Sequence, residues 1–304
     1  MLAYLLDTSS IRSMQYDELR IITEKAALLV SPVTLYEFFC HIDEHDKRDN
    51  TVPSHLYRAN LQKCFLLKIL DDPYVEKGEK LGFKYFVNPN RYEEREFLSY
   101  LLPQILQAYE KAATFKEFCN WKVTYLHGEV ATIRDVATRS RSTLENDEEK
   151  YVRGIQDFCS LILKDYDYQL QKIEAQLTDI IVQCALNIAR KCNCPVGLTL
   201  SSMFPYFGYQ VVRTIKYLGK ASVNIKNLNI DRNDMEDCFL CLHLALDQER
   251  VLVTGDTGIQ KGLSLSLDSF RNTSKAKQIS LPTVYAEVIN TEEFKDRLNK
   301  PKRI

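Results

Sequence analysis

Four acidic residues, Asp7, Glu37, Asp237 and Asp256, are spaced so that folding could gather them into one site. Asp7 directly follows the apolar run Leu2 to Leu6, and Asp256 follows Val251-Leu252-Val253 after a Thr254-Gly255 step. Glu37 lies in the second turn of a helix expected after Ser31-Pro32. Asp237 lies in the first turn of one expected after Asn233, with Asp234 a nearby alternative. Carboxylates offer oxygen ligands only, which suits hard divalent cations such as Mg²⁺ or Mn²⁺. Two such ions about 3.5–4 Å apart can activate a water, orient a phosphodiester and stabilise the leaving oxygen. Their charge also lets a polyanion approach an acidic pocket.

Each acid has a purely structural alternative. Asp7 suits a helix N-cap, and Glu37 suits an exposed helix face. Asp234-x-x-Asp237 has the spacing of a capping box. Asp256 sits in a Thr-Gly-Asp-Thr-Gly turn, where Asp is favoured for backbone reasons.

The elements that must position these residues are α/β at the two ends of the chain. Leu2 to Leu6, Ala26 to Val30 and Val251 to Val253 are short unbroken apolar runs, as in strands buried on both faces. Ser31-Pro32 is an N-cap followed by proline at the first helical position. In open parallel sheets, sites collect beyond the carboxyl ends of the strands, where Asp7 and Asp256 would both emerge. A further strand is expected around Gln278 to Leu281 and a last helix from Val284 to Leu298. Between about Val52 and Lys220 the helical period dominates, with the charge-rich stretch Arg139 to Lys150 expected as an exposed linker. The simplest architecture is a discontinuous α/β core, 1–49 with 221–304, interrupted by an all-helical insertion, 50–220.

Composition narrows the setting. The 304 residues are 45% hydrophobic, enough for a sizeable core, and the formal charge is −1. Such a balance argues against a protein that simply coats nucleic acid. The nine cysteines are scattered, the opening MLAYLLDTSS reads as a strand, and no apolar run nears the roughly 20 residues of a membrane span. Reduced thiols in the cytoplasm and no membrane partner are expected.

The segments LLDTSSI, SPVTLYEFF, NDMEDCFLCLHLAL and VLVTGDTG, in this order, resemble the PIN-domain family, named for the PilT N-terminus. The resemblance covers roughly the first 45 and last 80 residues. It implies a three-layer fold with a central parallel sheet flanked by helices. It also implies a metal-dependent endonuclease, an endoribonuclease before a deoxyribonuclease. Asp7, Glu37, Asp237 and Asp256 match the family's acids, and Thr254 its hydroxyl position beside the metal ligands. Single-stranded RNA is the implied substrate, with DNA the alternative. The resemblance leaves room for a homodimer and for an inhibitory or activating protein partner. A non-catalytic PIN-fold module, binding RNA or protein through the insertion, is the rival reading. No GxGxxG or GxxxxGK[ST] loop supports a nucleotide-binding domain.

Arg134, Arg139, Arg141 and Arg153, with Tyr125 and Tyr151 nearby, form a candidate path for single-stranded RNA, although Glu145, Asp147, Glu148 and Glu149 interrupt it. His41 and His45 have a zinc-compatible spacing but lack HExxH, so they are read as a solvated helix face. Cys238-x-x-Cys241, with Cys192 and Cys194 upstream, is read as structural thiols rather than a zinc site.

Overall fold

The computed structural model describes residues 2–42, 55–71, 96–165, 176–277 and 286–299. In chain order its first elements are β1 (Ala3–Leu6), α1 (Thr8–Ser13), α2 (Tyr16–Thr23), β2 (Ala27–Val30), α3 (Pro32–Cys40), α4 (His55–Cys64) and β3 (Lys68–Ile69). A π-helical turn, Phe97–Leu101, then leads into α5 (Leu102–Lys111), followed by α6 (Phe115–Asn120) and the hairpin β4 (Lys122–Thr124) and β5 (Val130–Thr132). Three long helices come next: α7 (Ile133–Asp165), α8 (Leu177–Cys192) and α9 (Val196–Asn224). The chain closes with α10 (Asp234–Cys241), β6 (Arg250–Val253), α11 (Thr257–Lys277), β7 (Glu287–Ile289) and α12 (Thr291–Asn299).

Five strands form one parallel sheet in the order β3-β2-β1-β6-β7. The order reverses between β1 and β6, so their carboxyl ends open onto the crevice where α/β sheets hold ligands. Both faces are covered. Tyr4, Leu6, Leu28, Val30, Val251 and Val253 pack with α1, α3 and the helices of the middle segment. Leu5, Leu29 and Leu252 point the other way, against α8, α9 and α11. Alternate residues of each strand thus enter different cores, which is why these strands read as continuous apolar runs. The fold is α/β, with a central parallel sheet between helical layers.

Helix α3 starts where its sequence predicts: the Ser31 hydroxyl accepts from Val33 N at 3.1 Å, and Pro32 occupies the first turn. Other expectations change. The stretch Arg139 to Lys150 is no linker but the interior of α7. It contains no Gly or Pro, Ser140 and Leu144 lie buried one turn apart, and the pairs Asp147–Lys150 and Glu149–Arg153 stabilise its exposed side. The segment 50–220 is not all helical: β4 and β5 form a hairpin within it, and β3 extends the central sheet beside β2. The last helix begins at Thr291 rather than Val284. Glu287–Ile289 joins the sheet, and the Asn290 side chain accepts from Glu293 N at 2.8 Å to start the helix. Gln278 to Leu281 lies outside the described residues. Among those described, no helix is long and apolar enough to cross a membrane.

Candidate active site

Beyond the carboxyl ends of β1 and β6, a pocket of about 180 Å³ is lined by Asp7, Glu37, Asp237 and Asp256. Four separated segments supply these acids, and local hydrogen bonds hold each one.

Asp7 leaves β1 and caps α1, accepting from Ser10 N at 2.7 Å. The Ser9 hydroxyl donates to the same carboxylate at 2.8 Å and that of Thr254 at 2.5 Å. Thr254 is fully buried, and its oxygen in turn accepts from Asp256 N at 2.9 Å. Gly255 N donates to Ser9 Oγ at 2.6 Å, which closes the turn after β6 onto the start of α1. A Cβ on Gly255 would stand 3.0 Å from that oxygen, a tight approach that the Ser9 side chain would have to relieve by a few tenths of an ångström. Asp256 caps α11, accepting from the amides of Gly258 and, at 3.2 Å, Ile259.

Glu37 accepts from the Thr8 hydroxyl at 2.5 Å and meets Arg12 at 3.4 Å, whose guanidinium lies 5.5 Å from the Phe38 ring centre. Asp237 Oδ2 lies 2.9 Å from the Tyr209 hydroxyl, which also stands 3.1 Å from Asp234 Oδ1. Tyr209 belongs to α9, so a helix of the middle segment orients an acid of the carboxyl-terminal part.

Asp234 does not line the pocket. It is 1% exposed and bound to Arg213 through Nε at 2.7 Å and Nη2 at 2.5 Å, with Tyr217 donating to it as well. It makes no capping box. Its place is behind Asp237, in a buried network that ties α9 to α10.

The pocket is strongly acidic. Glu148 and Glu236 also line it, giving six carboxylates against the single guanidinium of Arg12. Burial pushes the Asp7 carboxyl above the usual carboxylate range, against the pull of Thr254, Ser10 and Ser9. Burial raises Glu37 likewise, opposed by Thr8 and Arg12. Asp237 rises furthest, first through burial and then through the charges of Asp256, Asp234 and Asp7, while Tyr209 pulls it back. A divalent cation would relieve this repulsion, and the oxygen donors suit Mg²⁺ or Mn²⁺. Among the described residues, no three His, Cys, Asp or Glu side chains are placed to hold one ion together. The arrangement therefore fits a hydrated cation held by one or two carboxylates, as Mg²⁺ commonly is, rather than a closed protein cage.

Several lining residues escaped sequence reasoning. Thr8 and Ser9 were legible only as turn formers. Arg12 and Glu236 carry no local signal, and Glu148 reads in sequence only as an acid that breaks up the arginine cluster, because α1, α3, α7 and α10 converge only in the fold. His41 faces this pocket instead of a solvated helix surface, while His45 lies outside the described residues. The four arginines expected along an RNA path do not line the pocket. Arg139 and Arg153 pair with Glu129 at 2.6 Å and Glu149 at 3.0 Å, Arg141 donates to the Cys40 carbonyl at 2.9 Å, and Arg134 is exposed on α7. Cys238 and Cys241 are buried in the core, where desolvation drives their thiols well upward.

Comparison with known protein families, with curated proteins and with solved structures finds no match for this chain.

Proposed function

We propose that the protein is a divalent-metal-dependent endonuclease that hydrolyses phosphodiester bonds, with single-stranded RNA as its preferred substrate and DNA the alternative. The observation that supports this most is the convergence of Asp7, Glu37, Asp237 and Asp256 on one pocket at the point where strand order reverses. The preference for RNA rests on the PIN-like motifs, as does the finer description of the fold.

In this reading Asp7, Glu37, Asp237 and Asp256 surround a hydrated Mg²⁺ or Mn²⁺, one or two of them as direct ligands and the others as acceptors for its bound waters. When bound, such a cation supplies Lewis-acid polarisation of the phosphoryl group and offsets its charge. Thr254 fixes the orientation of Asp7 and the Asp256 backbone through two hydrogen bonds, at 2.5 and 2.9 Å. Thr8 fixes Glu37, and Tyr209 fixes Asp237. Arg12, half exposed at the rim, is placed to meet an incoming phosphate oxygen.

The test is cleavage of end-labelled single-stranded RNA and DNA with Mn²⁺, Mg²⁺ or EDTA, comparing wild type with Asp7→Asn and Asp256→Asn. Metal-dependent cleavage leaving 5′-phosphate and 3′-hydroxyl ends, lost in both folded variants, is expected. A second reading, a non-catalytic module that binds RNA or a protein through residues 50–220, draws on the absence of a three-ligand group among the described residues. Mn²⁺ titration by calorimetry separates them: no saturable binding by folded wild type favours the module.

A further inference from the structure

A second depression, of about 700 Å³, shares Asn233 and Asp256 with the acidic pocket and carries the opposite charge. Lys216, Lys220 and Arg232 line it, and all three are exposed. Arg213 at its base makes the ion pairs of this region, to Asp234 at 2.5 Å and to Asp231 at 3.9 Å. Among the described residues the two lysines and Arg232 pair with no carboxylate.

The fold dictates this concentration of charge. Arg213, Lys216 and Lys220 stand at i, i+3 and i+7 of α9, so they share one face. The buried Arg213–Asp234 pair turns that face toward α10 and the start of α11. Lys220 is steadied 5.6 Å from the Tyr217 ring centre. The Lys216 ammonium is drawn below the usual lysine range, first by desolvation and then by the charges of Arg213 and Lys220, with Asp234 opposing. At Gly258 an added Cβ would lie 2.9 Å from Asp256 Oδ1 and 3.2 Å from Arg213 Nη1. Only the thickness of one small side chain therefore separates the acidic site from the base of the cationic groove.

The walls are polar, with Tyr217 and Ile230 the apolar exceptions, so the groove suits phosphates better than bases. An acidic pocket repels a polyanion except where cations lead into it. We propose that this groove binds the backbone phosphates next to the one presented to the acids, with Lys216, Lys220 and Arg232 as the contacts of a single polynucleotide strand. The identity of the ligand rests on the nuclease reading above. The groove takes the role that the sequence assigned to the arginines of α7, two of which already hold glutamates.

The experiment measures anisotropy of a labelled RNA of about twelve nucleotides, a length typical of single-strand sites, in EDTA across a salt series. The proteins are wild type, Lys216→Ala/Lys220→Ala and, as control, Arg139→Ala/Arg153→Ala. Each lost phosphate contact on a single strand flattens the slope of log K against log salt by about 0.7, so the lysine variant should be flatter by about 1.4. Its affinity should fall on the order of tenfold at low salt, with the control unchanged. An unchanged slope in a lysine variant with wild-type circular dichroism and melting temperature overturns the proposal. So does loss of inorganic phosphate binding, measured by calorimetry, with RNA binding intact, because the groove would then serve free phosphate. Cleavage is scored separately with Mn²⁺. RNA bound through the lysines but never cut removes the nuclease reading and leaves the groove standing, whereas cleavage with an unmoved slope removes the groove alone.

Discussion

Asp234→Asn should destabilise the fold by about 3 kcal/mol, although Asp234 lies outside the pocket. The substitution keeps the volume and removes the charge that Arg213 meets at 2.5 and 2.7 Å. Arg213 is only 6% exposed, so its guanidinium is left buried without its main partner. Breaking a buried pair from one side costs about 3–5 kcal/mol. Two features favour the low end. Asp231, about half exposed, stands 3.9 Å from Arg213 Nη2 and can take up part of the charge. At that range such an attraction runs from about 1 kcal/mol in water to about 4 kcal/mol at an effective dielectric near 20. The Asn carbonyl can also still accept from Tyr217. Arg213→Met should cost a similar amount, and the double variant should fall short of the sum by about 2 kcal/mol, because the second change removes the charge that the first left alone. Urea unfolding followed by circular dichroism, extrapolated linearly, measures all four proteins. A loss below about 1 kcal/mol for Asp234→Asn at unchanged m, or strict additivity in the double variant, would refute the view that this pair ties α9 to α10.

Three further outcomes are expected. The Asp237 carboxyl is raised above its unfolded value of 3.8, so its charged form opposes folding above the folded pKa, and that penalty fades as pH falls toward 3.8. Asp237→Asn should therefore melt above wild type near pH 8, with the gap closing by about pH 4; a gap independent of pH in thermal scans would count against the burial argument. Mn²⁺ at 100 times its Kd should stabilise wild type by about 2.7 kcal/mol in thermal shift, and Asp7→Asn should lose most of this; equal shifts in both proteins would place the ion elsewhere. Thr254→Val leaves the Asp7 carboxylate and the Asp256 amide each short of a partner, so Mn²⁺ affinity should drop about 10–100-fold, and an unchanged calorimetric isotherm would deny Thr254 its positioning role.

The parts of this fold that the chain announces are those with local physical causes. The apolar runs suit strands buried on both faces and form them at Ala3–Leu6 and Arg250–Val253, and Ser31-Pro32 starts a helix. Strand β3 escaped notice because two residues, Lys68 and Ile69, make no periodicity; pairing with β2 alone makes them a strand. The charges of Arg139 to Lys150 look like a linker until Tyr36 donates to the Ser140 carbonyl at 3.1 Å and seats that face of α7 on α3. Arg213 and Tyr209 were invisible for another reason. Their carboxylate partners Asp234 and Asp237 lie 21 to 28 residues away along the chain and inside another helix, where no local pattern reports them.

The structural alternatives for the acids also prove compatible with a site, and the difference lies in what each carboxylate has left to offer. A carboxylate has about four lone-pair positions. Asp234 accepts from Tyr217 and from two nitrogens of Arg213, which uses most of that capacity, and the one Tyr209 proton lies closer to Asp237, at 2.9 against 3.1 Å. Asp7 does cap a helix, and with Ser9, Ser10 and Thr254 around it only a little remains. Asp256 caps α11 through Oδ1 alone, and Asp237 accepts only from Tyr209 among the described residues. Asp256, whose Oδ2 accepts from none of the described residues, is also the acid that lines both the acidic pocket and the cationic groove. Asp7, the acid most legible in sequence, is held hardest of the four, so the turn from β6 presents its remaining lone pair to the pocket in a fixed direction.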